Sequence, residues 1–369
     1  MTPPRRRELD ESDVRIRPNP RGSRPRSKER PRHDDSTAGW VITVDRGRYT
    51  VLLGSPDDPP DADEHVVTAM KARELGRAAV VVGDRVALVG DVTGAEGSLS
   101  RIVRVEERAS MLRRSADDVE GAVEGAAERP IVANADQLAV VTALADPEPR
   151  PRMVDRTLVA AYDAGLDPLL VLTKADLTDP GPFLAAYAPL DVPYVVTRRT
   201  PGNGSPDGGI EGLDEVRGRL AGRVTVLVGH SGVGKSTLVN ALVPGTARAI
   251  GRVNDVTGRG RHTSTSAVAV RLPGGGWVVD TPGVRSFGLA HVVPDRIVQS
   301  FPDLAAGTDE CPRGCTHDEP ECGLDAFVAA GGAGPAGVSR LESLRRLLRS
   351  RAGTDDPQPS DRSDSPYEV

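Results

Sequence analysis

Gly229-His230-Ser231-Gly232-Val233-Gly234-Lys235-Ser236-Thr237 matches the pattern G-x-x-x-x-G-K-[ST] in full, and it limits the possible folds of this chain more than any other feature. Such a loop works only between a buried strand and a helix. Its glycines let backbone N–H groups close around phosphate oxygens, and the helix N-terminus adds its dipole. The flanks comply: Arg223 to Val228 reads as a strand, and Ser236 to Leu242 as the start of a helix. Leu138 to Leu144, Pro168 to Thr173 and Asp191 to Thr197 read as further strands, and Met153 to Ala164 (with Gly165 as C-cap) and Gly212 to Leu220 as helices. That rhythm predicts a mainly parallel sheet with helices on both faces. The order of the remaining boxes is unusual. Thr173-Lys174-Ala175-Asp176 precedes the phosphate loop, whereas Thr263-Ser264-Thr265-Ser266 and Asp280-Thr281-Pro282-Gly283 follow it, so the blocks are present in rotated order.

Each box has a chemical reading. Lys235 can reach β- and γ-phosphates, and Ser236 can ligate Mg²⁺. Asp280 follows the strand Trp277-Val278-Val279, which aims its carboxylate at the metal, directly or through water, while Gly283 can offer its N–H to a γ-phosphate. The carboxylate of Asp176 can accept from N1 and N2 of guanine, donors that adenine lacks, and Lys174 can lay its alkyl stem along the base. Thr173 stands where Asn is usual, and Val196-Thr197-Arg198 is placed to offer a backbone N–H to the base oxygen. GTP and GDP are the ligands expected. The position after Asp-x-x-Gly, where a water-orienting glutamine commonly sits, is Val284, so His262 is the nearest replacement, acting once a partner orders its loop. The expected catalytic set is His262, Lys235 and Gly283. Spacing does not choose among Thr263, Ser264 and Thr265 as the second Mg²⁺ ligand.

The chain has three cysteines, all inside Cys311-x₃-Cys315-x-His317-x₄-Cys322. Three thiolates and one imidazole make a closed tetrahedral set for structural zinc, and zinc would fold a segment with little apolar core of its own. The cysteine usage suits a reducing compartment. No apolar run approaches a membrane span and the N-terminus has no apolar signal core, so a soluble, cytoplasmic protein is expected. Net charge is −6, which provides no global field to attract nucleic acid.

Five regions are expected. Residues 1–38 read as a disordered basic arm, either an RNA-contacting tail or a merely solvated one. Residues 39–108 carry short strands: Trp40 to Val44 and Arg48 to Leu53 around Asp45-Arg46-Gly47, then Ala78 to Val82, Arg85 to Val89 and Arg101 to Val105. They suggest an OB-like barrel that either binds RNA or is structural. Residues 109–290 hold the rotated nucleotide domain, 291–351 a zinc-binding helical module, and 352–369 a disordered acidic tail. The closing helix, Ser339 to Arg351, has Leu341, Leu344 and Leu348 on one stripe. Arg340, Arg345, Arg346 and Arg349 surround it, serving either a packing helix or an RNA-facing one.

Taken together, the Gly-His-Ser-Gly-Val-Gly-Lys-Ser loop, the Gly-Arg-His-Thr-Ser-Thr switch, Asp-Thr-Pro-Gly-Val-Arg and the Cys/His cluster resemble the circularly permuted, ribosome small-subunit-dependent GTPase A family of bacteria (RsgA/YjeQ) over roughly Gly39 to Arg351. The resemblance implies a GTPase of late 30S maturation, and a monomer is expected. It also implies 16S rRNA contacts by barrel and zinc module, turnover raised by the subunit, and release on hydrolysis. Two departures stand out: Thr173 replaces Asn, and the Cys-to-Cys and His-to-Cys intervals are each one residue shorter than the family pattern. Two alternatives remain open: an RNA-binding module whose guanine nucleotide is structural and whose turnover is incidental, and a permuted GTPase serving the large subunit.

Overall fold

The computed structural model describes residues 33–59, 64–76, 79–114, 129–200, 209–244, 267–281, 287, 289 and 291–352. Strands β1 (Thr37–Asp45) and β2 (Arg48–Leu53) form the expected hairpin, with both turn residues at positive φ (Arg46 43°, Gly47 85°). That backbone twist suits a two-residue connection between right-twisted strands. β3 (Val66–Lys71) continues antiparallel from β2, β5 (Ser100–Val105) runs parallel to β3, and β4 (Arg85–Gly90) joins β5 to β1, closing a barrel. Its interior is filled by Val41, Val51, Val67, Ala69, Val86, Leu88 and Ile102.

Two expectations fail here. β3 was not expected, and Ala78 to Val82 is not a strand over its described residues. Val82 makes only an isolated bridge to Val132, because the neighbouring backbone is engaged in a turn. The Val81 N–H bonds the Asp84 carboxylate at 2.8 Å, and the Gly83 N–H bonds the Val41 carbonyl at 2.8 Å. Gly83 (φ 90°) lies so close to the next segment that a Cβ would fall 1.9 Å from the Ala133 carbonyl oxygen. Asp84 is fully buried and answered by Arg108, whose Nε and Nη2 reach its two oxygens at 2.7 and 2.8 Å.

After the pair β6 (Met111–Arg114) and β7 (Arg129–Ala133), the chain alternates strand and helix: β8 (Gln137–Ala143), α1 (Pro151–Asp163), β9 (Asp167–Thr173), α2 (Gly181–Tyr187) and β10 (Tyr194–Val196). The hairpin β11 (Arg198–Thr200) and β12 (Gly209–Glu211) leads to α3 (Leu213–Leu220), β13 (Val224–Val228), α4 (Lys235–Leu242), β14 (Val268–Arg271) and β15 (Trp277–Asp280). The expected strand over Asp191 to Thr197 is shorter than read, since only three of its residues pair with β9. In space the strands run β10-β9-β8-β13-β15-β14, parallel except for β14. Alternation along each strand feeds two cores. Leu138, Val140, Leu170 and Leu172 face Val154 and Leu158 of α1, whereas Ala139, Val141, Leu169 and Val171 face Val216, Leu220, Leu238 and Leu242 of α3 and α4.

The barrel and this sheet are continuous, because β14 pairs with β1 through Thr43 and Val268. Trp40 and Trp277, the only tryptophans in the chain, meet at this junction with ring centroids 4.7 Å apart. The Trp277 Nε1–H donates to the Pro56 carbonyl at 2.9 Å.

Beyond it lie α5 (Pro294–Gln299), α6 (Pro302–Ala305), α7 (Gly323–Ala329) and α8 (Gly337–Ala352). The α8 stripe Leu341, Leu344, Leu347 and Leu348 is buried in the same cluster as Val154 and Leu158. At about 1.5–3 kcal/mol for each fully buried side chain, this stripe is the main tether of the helix. The surrounding arginines are engaged within the chain, which supports the packing reading of α8. Arg340 bonds Asp303 and the Pro189 carbonyl, and Arg345 bonds Asp325 at 2.9 and 2.6 Å. Arg346 lies 3.1 Å from Asp155, and Arg349 3.1 Å from Asp318.

Candidate functional site

Open parallel sheets bind ligands at the carboxyl ends of their strands, and the boxes converge there. Thr173 ends β9, Asp280 ends β15, and Gly229 follows β13. The registers Leu227–Asp280, Val228–Val140 and Ala143–Thr173 set these ends side by side. The result is a cavity of about 840 Å³. Its phosphate-loop wall is Gly229, His230, Ser231, Gly232, Gly234, Lys235, Ser236, Thr237 and, beneath them, Leu238, and Thr173, Lys174, Thr197, Arg198, Arg199 and Ile210 line the rest.

The loop's shape depends on its glycines. Gly232 and Gly234 sit at φ 83° and 89°, where a Cβ is disfavoured. At Gly229 a Cβ would lie 2.4 Å from the Val141 carbonyl oxygen. Lys235 opens α4 and forms an ion pair with Asp280, Nζ to Oδ1 at 2.5 Å, with both side chains largely shielded (13% and 24% exposed). The Thr281 hydroxyl donates to the Leu227 carbonyl at 3.0 Å and fixes the strand end behind Asp280. The Val233 side chain is buried beneath the loop.

The Thr173 substitution has a clear structural consequence. Thr173 is 7% exposed, and its hydroxyl donates to the Val233 carbonyl at 2.6 Å, tying the Thr-Lys-Ala-Asp box to the phosphate loop. Lys174 sits at φ 59°, and its ammonium group donates to the Asp146 carbonyl in the loop after β8. The Ala175 N–H bonds the Thr197 carbonyl at 3.2 Å, and the Asp176 Oδ1 accepts the Arg199 N–H at 2.9 Å. The contributions of Arg199, Ile210 and Asp146 were missed from sequence. They lie on strands of three residues and in a loop, where no periodicity marks them. His262, Thr263, Ser264, Thr265, Gly283 and Val284 lie outside the described residues.

A second cluster gathers in the loop before α7. The ligand atoms of Cys311, Cys315, His317 and Cys322 all lie within 4.8 Å of one another. Cys311 Sγ is 3.6 Å from His317 Nδ1 and 3.9 Å from Cys322 Sγ, and Cys322 Sγ is 3.9 Å from His317 Nδ1. Tetrahedral bonds of about 2.3 Å to sulfur give edges of about 3.8 Å, so the four donors fit one cation. The shortened intervals therefore still close the set. Burial pushes the Cys315 thiol up to about 12 and raises Cys322 as well, so a bound cation would be needed to keep them as thiolates.

Supports surround this cluster. His317 Nε2 faces Asp295 at 3.6 Å, and Arg345 Nε donates to the His317 carbonyl at 3.1 Å. Glu319 is held at about 2 by the backbone and hydroxyl hydrogen bonds of Thr316. Among the described residues no helix is long and apolar enough to cross a membrane.

Comparison with known proteins gives the family and the fold. The model of the family RsgA GTPase matches residues 105–290. A protein named small ribosomal subunit biogenesis GTPase RsgA from Pseudomonas aeruginosa (strain LESB58) is 41% identical over 235 residues, 62% of this chain; the match spans 66% of that relative's length. One of the same name from Chlorobaculum parvum is 35% identical over 322 residues, covering 86% of this chain and 99% of the relative. Among solved structures, YloQ, described as a circularly permuted GTPase, superposes with a TM-score of 0.57 at 21% identity over 89% of this chain and 100% of its own.

Proposed function

This chain belongs to the RsgA GTPase family, and we propose that it is a GTP hydrolase that binds the small (30S) ribosomal subunit and assists its late maturation. The observation that carries this reading is one cavity lined by the phosphate loop and by Thr173 and Lys174 of the Thr-Lys-Ala-Asp box, with Asp280 paired to the lining Lys235 and Asp176 bonded to the N–H of the lining Arg199, in the rotated order. The matched relatives are named for small-subunit biogenesis, and that partner is carried here as part of the proposal.

In this reading GTP lies with its phosphates on the N–H groups of Gly229 to Thr237 and its guanine against Asp176, beside Lys174 and Ala175. Lys235, now paired with Asp280, turns to the β- and γ-phosphates. Asp280 and the Ser236 hydroxyl at the start of α4 are hard oxygen donors that suit Mg²⁺, with one of Thr263, Ser264 and Thr265 completing the set. When bound, Mg²⁺ neutralises charge that develops between the β- and γ-phosphates. Gly283 offers its N–H to the γ-phosphate, and His262 orients a water. That water's oxygen bonds to the γ-phosphorus as the bond from that phosphorus to the β–γ bridging oxygen breaks; a water proton passes to the phosphate that forms, and GDP and inorganic phosphate are the products. Cys311, Cys315, His317 and Cys322 hold a structural zinc ion, a closed set that leaves no ligand position for catalysis.

The division into a basic arm (1–38), barrel (39–108), nucleotide domain (109–290), zinc module (291–351) and acidic tail (352–369) belongs to the same proposal. So do a monomeric, cytoplasmic state and 16S rRNA contacts by barrel and zinc module. GTP turnover with and without isolated 30S subunits tests it. Stimulation of about tenfold, equal to about 1.4 kcal/mol off the barrier, is expected. Confirmed GTP binding with slow, unchanged turnover would instead favour an RNA-binding module with a structural nucleotide.

A further inference from the structure

The hairpin β11–β12 is the part of the cavity wall that the sequence motifs do not account for. Its register sets Arg199 directly opposite Ile210, and both line the cavity. Directly opposed strand residues present their side chains on one face, with Cβ atoms about 5 Å apart. The hairpin is fixed at both ends. The Arg199 N–H bonds the Asp176 carboxylate at 2.9 Å. At the exit, Gly212 (φ 85°) passes so near β10 that a Cβ would fall 2.3 Å from the Val196 carbonyl oxygen.

Ile210 is a half-buried aliphatic side chain that belongs to none of the three apolar clusters among the described residues. Among the described residues, Ile210 and Leu238 are the only aliphatic ones lining the cavity. Leu238 lies under the phosphate loop in the α3–α4 core. Ile210 therefore puts apolar surface at the Asp176 end of the cavity, where the other side chains are Thr, Lys and Arg. That combination suits a flat heteroaromatic ring. Aliphatic carbon covers such a ring without competing for its polar edge, and a planar guanidinium stacks on a π-face.

Resting on the guanine-nucleotide reading above, we propose that Arg199 and Ile210 form one wall of a base sandwich whose other wall is the Lys174 stem. The Lys174 stem is held in place by the bond of its ammonium to the Asp146 carbonyl. A ring bonded edge-on to Asp176 then has a face toward each wall. The Arg199 backbone bond takes one lone-pair site of the Asp176 carboxylate and fixes its orientation, leaving the remaining sites for N1–H and N2–H. The same residue thus sets the edge contact through its backbone and the face contact through its side chain.

Binding of GDP and of inorganic tripolyphosphate to the full-length protein tests this, in wild type, Arg199→Ala, Arg199→Lys, Ile210→Ala and Ile210→Leu. Both alanine variants are expected to lose about 3- to 10-fold in GDP affinity, the scale of one stacking or apolar contact. Tripolyphosphate, which has no base, should bind as in wild type. Ile210→Leu should restore GDP affinity, whereas Arg199→Lys, which keeps charge but not the plane, should restore it only in part. GDP affinities unchanged in both alanine variants would overturn the sandwich, as would an equal loss for tripolyphosphate, which marks general damage. Failure of wild type to bind GDP at all would overturn the guanine reading instead.

Discussion

The nucleotide cavity and the Cys/His loop are built on opposite principles. The phosphate loop is a backbone site on a sheet whose strands are buried on both faces. Its glycine conformations, the Thr173–Val233 bond and the Lys235–Asp280 pair are anchored by the chain's own bonds to that sheet. The loop from Cys311 to Cys322 contains no Val, Leu, Ile, Met, Phe, Tyr or Trp of its own, and its four ligand side chains converge within 4.8 Å, so that set serves as its core. Helix α8 belongs with the first kind, since its leucines are packed against α1 whatever the Cys/His loop does. A site laid on a preformed scaffold should tolerate ligand loss; a site that is its own core should not.

The sharpest way to break this contrast is to remove the metal. Chelation should release one zinc ion per chain and raise amide exchange over 308–322, because such binding contributes on the order of 10 kcal/mol to local folding. Exchange in α1, β13 and α8 should stay slow, and GDP should still bind. The converse variant is Lys235→Ala, which should weaken GTP and GDP binding by about 100-fold, in line with losing one partner of a shielded charge contact. Its zinc content should not change.

Thr173→Val probes the link within the preformed site. It leaves the Val233 carbonyl without its partner, so a stability loss of about 1–2 kcal/mol is expected by urea titration, with a several-fold weaker GDP affinity. The smallest effect concerns Glu319. Its folded pKa, about 2, lies below the ordinary 4.5, so its contribution is full above about pH 4.5 and is lost as pH falls toward 2. Glu319→Gln should remove a small part of the acid sensitivity in that window, read by urea titration at acid pH, and change stability at pH 7 only slightly, as for an exposed group.

What the sequence revealed follows the same division. Gly229 to Thr237 was legible because backbone chemistry demands a fixed glycine spacing. Cys311 to Cys322 was legible because the chain's only three cysteines stand together. β8, β9 and β13 followed from apolar runs, and α1 from the helical spacing of Met153 to Ala164. β3 escaped because Val66–Lys71 is a short run with no turn signature, and Ala78 to Val82 misled because its valines are buried around a turn instead of along a ladder. The hairpin at Arg199 and Ile210 escaped for a related reason. Its two three-residue strands carry no alternation, and their significance lies in what they face.

Titration of the full-length protein with GDP and with ADP, followed by calorimetry, tests the account most directly. A single GDP site with affinity at least about 100-fold above that for ADP is predicted, because the Asp176 edge rewards donors that only guanine has. Equal affinity for the two nucleotides, or binding of neither, would contradict it.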